Sequence, residues 1–352
     1  MDLNNLTNQP GEWLKGVGPE VDIVISSRIR LARNVDGYPF LTTAKEEEKR
    51  ELLEVILRQL RKLEARREGE PPLMFLNLNE VSHLDRLFLV ERHLISKELA
   101  LGKGDRAVVL DSEESLSIMV NEEDHLRIQA LCSGFQLNSL WEKIDRLDDE
   151  ISQLLPYAFH KDWGMLTACP SNVGTGMRVS VMLHLPALVM THHIDRVFQT
   201  VQKINFTVRG FYGEGTQALG DFYQISNQIT LGRSEEDLIK SMQELIPQIV
   251  KYERTVRHSL LDEKGVELED RVWRAYGMLK NARVISSKET MDLLSAVRMG
   301  VNLNLIDEVN VRTINELFIQ TQPAHLQKLE GCTLPVDERD IRRAAYIRSR
   351  LN

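Results

Sequence analysis

Cysteine is scarce in this chain: Cys132, Cys169 and Cys332 are the only three in 352 residues, far apart and without a CxxC pair. That excludes a disulfide framework and argues against a zinc site. No apolar run is long enough to cross a bilayer, and the opening "MDLNNLTNQPGEWLKG" has no apolar leader-like stretch, so a cytoplasmic protein away from the membrane is expected. Positive charge is in deficit, 44 Lys and Arg against 52 Asp and Glu for a net −8, which argues against direct nucleic-acid binding. The usual phosphate motifs are missing as well. Neither G-x-x-x-x-G-K-[ST] nor a G-x-G-x-x-G after a strand occurs, so neither a P-loop nor a dinucleotide fold is expected. "HKDWGMLT" (160–167) superficially resembles a protein-kinase catalytic loop, but the downstream Asn and any DFG are lacking. His184, His192 and His193 have no organised carboxylate or cysteine partner, and no metal ligands are assigned.

What is present is an ordinary globular composition, 42% hydrophobic and 27% charged, with length for two domains. Residues 1–20, with two prolines and three glycines, read as an irregular lead-in. "VDIVISSRIRLARN" (21–34) reads as a strand, and Thr43-Ala44-Lys45-Glu46 as a capping box opening a helix. Strand-like runs follow at 106–111, 115–120, 178–185, 204–209 and 222–230, interleaved with helical stretches near 84–99, 136–152 and 187–203. From about Ser234 the pattern is helical almost throughout, with a second capping box at Ser286–Glu289. The division expected is a mixed domain over 21–255 and a helical domain over 256–352.

Three strands each deliver an arginine beside a turn. Arg28 and Arg30 in "SSRIRLARN" share a strand face about 7 Å apart. Two such cations repel by roughly 2 kcal/mol at an effective dielectric near 20 unless an anion lies between them. Arg178 follows a Gly-rich turn in "CPSNVGTGMRVSVMLHLP", with Val179, Val181 and Leu183 on the opposite face, and Arg209 ends an apolar strand in "FTVRGFYGEG". Taken singly, each is a solvated strand end; together they point to a polyanion such as a nucleoside triphosphate. Carboxylates complete the set: "NEEDHLR" (121–127) is an acidic turn or helix start, and Glu214 lies between Gly213 and Gly215 as on a closing loop.

The segments "SSRIR", "NEEDHLR", "CPSNVGTGMR" and "RGFYGEG" resemble, in order, the signature segments of the guanidino (phosphagen) kinases, the creatine and arginine kinase family. The resemblance implies an α+β fold: an antiparallel sheet flanked by helices, followed here by the C-terminal helical domain. It also implies ATP and Mg²⁺, the metal held mainly by phosphate oxygens and water. Carried over by position, Arg28, Arg30, Arg127, Arg178 and Arg209 would bind the phosphates. Ser26, Ser27, Ile29, His93, Val179, Ser180, Val181, Met182, Gly210, Phe211, Tyr212, Gly213 and Glu214 would complete the nucleotide site. Glu123 and Glu214 would grip the guanidinium, with Cys169 as the reactive cysteine beside Ser171. A guanidinium is a poor nucleophile, so two carboxylates that aim one nitrogen and accept its proton suit the chemistry.

Departures from that family narrow the resemblance. Its small-guanidine members carry a helical domain before "SSRIR", whereas twenty-five residues precede Ser26 here; Met182 and Tyr212 replace a usual histidine and arginine. An opened guanidine side and an added C-terminal domain resemble the bacterial protein arginine kinases. That implies arginine-bearing protein substrates (unfolded proteins, repressors), an activating partner, a Clp ATPase, and a homodimer or larger homo-oligomer. It also implies a regulatory phosphoarginine site at Arg339, Asp340, Arg343 and Ala344, since a phosphoarginine needs cations and a carboxylate. Alternatives are a free-arginine kinase and a non-catalytic adaptor for arginine-rich clients.

Overall fold

The computed structural model describes residues 3–67, 69–210 and 219–352. Ten strands and eleven helices are assigned among them. The strands are β1 (Val24–Arg33), β2 (Leu73–Asn77), β3 (Ala107–Asp111), β4 (Leu116–Val120), β5 (Leu126–Ser133), β6 (Phe159–His160), β7 (Gly164–Met165), β8 (Met177–His184), β9 (Phe206–Arg209) and β10 (Phe222–Asn227). Eight of them form one antiparallel sheet in the order β2-β3-β4-β5-β1-β8-β10-β9, and β6 and β7 form a separate hairpin. The helices are α1 (Glu46–Glu64), α2 (His83–Glu91), α3 (Lys97–Leu101), α4 (Leu137–Ser152), α5 (Pro186–Met190), α6 (Ile194–Lys203), α7 (Glu235–Asn281), α8 (Ser287–Asn302), α9 (Val311–Gln320), α10 (Pro323–Glu330) and α11 (Val336–Leu351).

The two-residue period of a strand divides the sheet into unlike faces. Ile29, Leu31, Ile118, Ile128, Val179, Val181 and Ile225 join the main core beneath α1, α4 and the first half of α7. On the other face, Val108, Leu110 and Met119 pack under α2 and α3 at one end. At the other end Ile25, Leu131, Met182 and Phe222 pack under Trp13 and the C-terminal helices. The middle of that face carries the arginines.

The helix α7 runs straight through the boundary expected at 255. Its backbone leaves helical geometry only at Lys264 (φ −138°, ψ 36°). Up to Val256 its buried apolar residues belong to the main core, and after the break Leu268, Val272, Ala275 and Leu279 belong to the C-terminal one. At Gly300 of α8 a Cβ would stand 2.3 Å from Val272, so only glycine lets α7 and α8 approach this closely. Arg298 ties α8 to the sheet, donating to the Val21 and Asp22 carbonyls and to His184 Nδ1, while His184 Nε2 meets the Ser295 hydroxyl at 2.9 Å. His184 is therefore an interdomain strut.

Two local expectations need correction, and a third is narrowed. The lead-in is not merely irregular: it forms short 3₁₀ turns at Leu3–Leu6 and Glu12–Leu14 and buries Trp13. The first helix is capped two residues later than expected, with the Glu48 carboxylate accepting Lys45 N at 2.7 Å, while the Thr43 hydroxyl donates to Phe40 O. Of the two readings of the acidic run 121–124, a turn or a helix start, the structure has the turn. Asn121, with φ 59°, makes the β4–β5 turn and donates to the Lys49 and Asp105 carbonyls.

Buried neutral histidines give the fold a pH dependence. Burial, reinforced by Arg92, holds His325 down to about 3, and burial with Arg28 and Arg30 does the same to His93. Once unfolded, each takes a proton near 6.5, so below that pH the unfolded chain binds more protons and stability falls as pH drops. The loss is about 1.4 kcal/mol per pH unit per histidine, down to about pH 3. His325→Gln is expected to take up one proton fewer on unfolding between pH 6 and 4, measured by urea denaturation across a pH series. An unchanged slope would show that His325 is already charged in the fold.

Candidate active site

Register brings the arginines together. Arg30 on β1 lies opposite Arg178 on β8 and Gln129 on β5, Arg28 lies opposite Ser180, and Arg127 opposite Ala32. On the far side Arg209 of β9 pairs with Gln224 of β10. All five guanidiniums line one cavity of about 810 Å³, together with His93, Glu98, Glu122, Glu123, Cys169 and Ser171.

Part of this charge is held by the protein and part is not. Arg28 donates to Ser180 Oγ and Gln224 Oε1, and Arg178 donates to Asn227 O. Arg127 donates to Glu122 at 2.6 Å; that carboxyl lies below its ordinary value because Arg127, Ser96 and Arg30 outweigh its burial. Arg30 differs: its Nε and Nη2 are buried without a hydrogen-bond acceptor. Burial, then Arg28, Arg127 and Arg178, push its charged form well out of favour. Burial and the same cluster draw Arg28 down to about 9. Buried donors without an acceptor are costly unless something else satisfies them. An anion of several charges would relieve both the repulsion and the vacant donors, so the residues present fit a nucleoside triphosphate.

Below the arginines a narrow recess is lined by Trp13, Ser26, Arg28, His93, Leu131, Ser180, Met182 and Gln224. His93 meets Trp13 edge to face at 4.8 Å, and its carbonyl accepts from Gln129. His93 thus stands beside the arginine cavity, whereas nothing in the lead-in foretold Trp13. Four residues carried over as nucleotide contacts turn their side chains away from the cavity. Ile29, Val179 and Val181 face the core on the other side of the sheet, and Ser27 is buried, donating to Gly134 O and accepting from Gln136 N. They build the strands that aim the arginines. Gly210 follows Arg209 at the end of β9, while the calls on Phe211, Tyr212, Gly213 and Glu214 lie outside the described residues.

The acidic turn divides its labour. Asn121 makes the turn, Glu122 holds Arg127, and Glu123 is exposed at the cavity. Partial desolvation at the cavity wall and then Asp124 raise the Glu123 carboxyl, making it a readier proton acceptor near neutrality. Asp124 is buried and accepts from Ala168 N at 2.7 Å and Asn34 Nδ2 at 2.6 Å. It therefore anchors the segment that presents Cys169, whose Sγ lies 3.0 Å from Ser171 Oγ. Sequence reasoning missed Asp124 as an anchor because its partners belong to two other segments. Asp124→Ala is expected to lower kcat by ten- to a hundredfold while ATP affinity holds, as for loss of positioning. Unchanged kcat would detach the anchor from the chemistry.

Cys169 also differs from the other thiols. Burial and Glu12 push Cys132 up to about 12, and Cys332 is exposed far along the chain on the helical domain. Alkylation is expected to inactivate at Cys169, to spare Cys132, and to be slowed by bound substrates, read by peptide mass mapping. Full activity with Cys169 capped would remove it from the site.

The C-terminal motif is placed apart from this cavity. Arg343 is buried, donating to Thr321 O, Ile285 O and Asp340, and Ala344 sits in the C-terminal core. Arg339 and Asp340 remain half-buried at the surface.

Comparison with known proteins agrees with this geometry. Residues 54–256 match the ATP:guanido phosphotransferase C-terminal catalytic domain, and residues 265–352 match the protein-arginine kinase McsB C-terminal domain. The chain is 44% identical to a protein-arginine kinase of Halothermothrix orenii, with all of each chain covered. It is 47% identical to that of Desulforamulus reducens, covering 100% of this chain and 99% of the other. Among solved structures, lombricine kinase superposes with a TM-score of 0.60 at 25% identity, covering 71% of this chain and 73% of that one. A duplicated taurocyamine kinase of Schistosoma mansoni gives 0.61 at 25%, covering 72% and 35%. An arginine-lined antiparallel sheet, an acidic turn beside a cysteine and two matching domain families place this chain in the protein-arginine kinase family of ATP:guanido phosphotransferases.

Proposed function

We propose that the protein transfers the γ-phosphoryl group of ATP to arginine side chains of polypeptides. The observation that carries this reading is Arg30, a buried guanidinium with vacant donors among four others, in the same cavity as the exposed Glu123 and Cys169. The arginines would neutralise charge on the transferring group, the main source of catalysis in this reaction type. Glu123 would orient the acceptor guanidinium and take one proton as its nitrogen attacks phosphorus. The phosphorus–nitrogen bond forms while the bond to the β-phosphate oxygen breaks, and ADP leaves. Cys169 would add a negative contact to the guanidinium fork, and Glu214 a second carboxylate. Mg²⁺ carried by the nucleotide would sit on phosphate oxygens and water.

Resemblance to the protein-arginine kinases supports a wider reading: a cytoplasmic homo-oligomer in stress response and protein quality control, worked by an activating partner, marking unfolded proteins and repressors for a Clp-type protease. Arg339 and Asp340, with Arg343 behind them, would read phosphoarginine and raise activity. No described helix is long and apolar enough to cross a membrane. The test is ADP release with Mg-ATP and either an unfolded basic protein or free arginine. Turnover with the polypeptide at much lower KM is expected. Preference for free arginine would favour the small-guanidine reading, and binding without ADP release would favour an adaptor.

A further inference from the structure

Beside the Cys169 segment four large apolar side chains stand in solvent. Phe159 and Trp163, on the β6–β7 hairpin, are 62% and 53% exposed; Ile229 and Leu231, just beyond β10, are 42% and 45% exposed. These two stretches are joined to each other and to the cavity wall. Met165 N donates to Gly174 O at 2.7 Å, closing the loop that presents Cys169 directly onto the hairpin. Gly174, with φ +112°, packs so tightly on Thr230 and Leu231 that a Cβ would stand 2.7 Å from Thr230 O. The Thr230 hydroxyl meets the Ser171 and Val173 carbonyls at 3.0 and 2.7 Å. Cys169, Ser171 and Gln228 line the cavity, and both apolar stretches are bonded to the loop that carries Cys169 and Ser171. Another part of that wall carries the exposed carboxylates Glu98 and Glu123.

Exposed large apolar side chains gathered close beside a functional cavity mark a binding face. We propose that this face docks the segment of substrate polypeptide flanking the target arginine, and that it selects arginines with aromatic or aliphatic neighbours. The proposal rests on the reading that the acceptor is a polypeptide. Proximity argues for the occupant: the apolar stretches are bonded to the loop that carries Cys169, which lines the same cavity as Glu123, so a chain presenting its guanidinium there has them close at hand. Charge agrees, because Glu98 and Glu123 favour a cationic residue in the cavity while apolar neighbours lie outside it. Such neighbours are buried in folded proteins and exposed in non-native ones. The surface therefore gives the site a physical means of preferring unfolded chains, separate from recognition of the arginine itself.

The test uses two short peptides with one central arginine, flanked by Phe and Leu in one and by Ser and Gly in the other. The full-length protein is expected to show a KM about tenfold lower for the apolar peptide, the size of effect expected of one or two apolar anchors. In Phe159→Ser/Trp163→Ser that difference should vanish through a higher KM for the apolar peptide, with kcat and the polar peptide unchanged. Ile229→Ser/Leu231→Ser should act in the same direction, and unchanged ATP affinity confirms that each variant is folded. Equal KM values in the unaltered protein would overturn the docking face alone. Turnover of free arginine with neither peptide phosphorylated would overturn both this proposal and the polypeptide reading. Loss of self-association in the variants, with peptide KM unmoved, would assign the face to a second copy of the chain and overturn the proposal.

Discussion

Glu123→Ala is expected to lower phosphoryl transfer at least a thousandfold while leaving fold and ATP affinity nearly intact. The reason is separation of roles around one cavity. The arginines face the anion, and Glu123 stands exposed at the cavity with no hydrogen-bonded cation of its own among the described residues, since Arg127 is held by Glu122. Removing it therefore leaves the phosphate side unaltered. What is lost is aim and a proton acceptor, interactions made most strongly in the transition state, so kcat should fall more than KM rises. Each tenfold corresponds to about 1.4 kcal/mol of barrier, and orientation together with proton transfer supplies about three such steps. Steady-state kinetics with calorimetric ATP titration separates the two. A variant keeping a tenth of the activity would take Glu123 out of the mechanism.

Arg30→Gln is expected to move stability and binding in opposite directions. Without nucleotide, Arg30 is a buried cation opposite Arg178, with two nitrogens lacking acceptors. Burial and three neighbouring guanidiniums disfavour its charged form. Removing the charge relieves that cost, so the nucleotide-free variant should melt about 1–2 °C higher, equivalent to about 1 kcal/mol in a chain of this size. ATP should bind at least a hundredfold more weakly, because charge-assisted hydrogen bonds contribute about 1.5–3 kcal/mol each. Thermal melts with and without ATP would show both effects. A destabilised variant that still binds ATP would mean that Arg30 serves packing.

The parts of the site written in short-range pattern were legible before the fold was known. Arg28 and Arg30 alternate with Ile29 and Leu31, and the two-residue period alone puts the cations on one face. Arg178 with Val179 and Val181 repeats the pattern. The same period runs through Leu126, Ile128 and Ala130 of β5, yet the acidic residues before it drew the reading toward a turn or helix start. Other parts depend on distant segments and leave no local trace. Trp13 reaches His93 eighty residues away, and Asp124 receives Ala168 N from a different loop. Arg343 is another such case. It stands among other charges in "ERDIRRAAYIRSR", with nothing local to mark it as buried, but carbonyls of Thr321 and Ile285 take it into the core. The carry-over by family segment likewise named Ile29, Val179 and Val181 with the arginines, although their side chains face away from the cavity.

The most direct measurement is the identity of the bond formed. The protein should be incubated with Mg-ATP and an unfolded, arginine-containing polypeptide, and the product examined by phosphorus NMR and by mass spectrometry under conditions that preserve acid-labile groups. The predicted result is a phosphorus–nitrogen linkage on arginine side chains, absent with Glu123→Ala and with Arg30→Gln. Phosphate found on hydroxyl groups, or no transfer to the polypeptide while free arginine is phosphorylated, would contradict it.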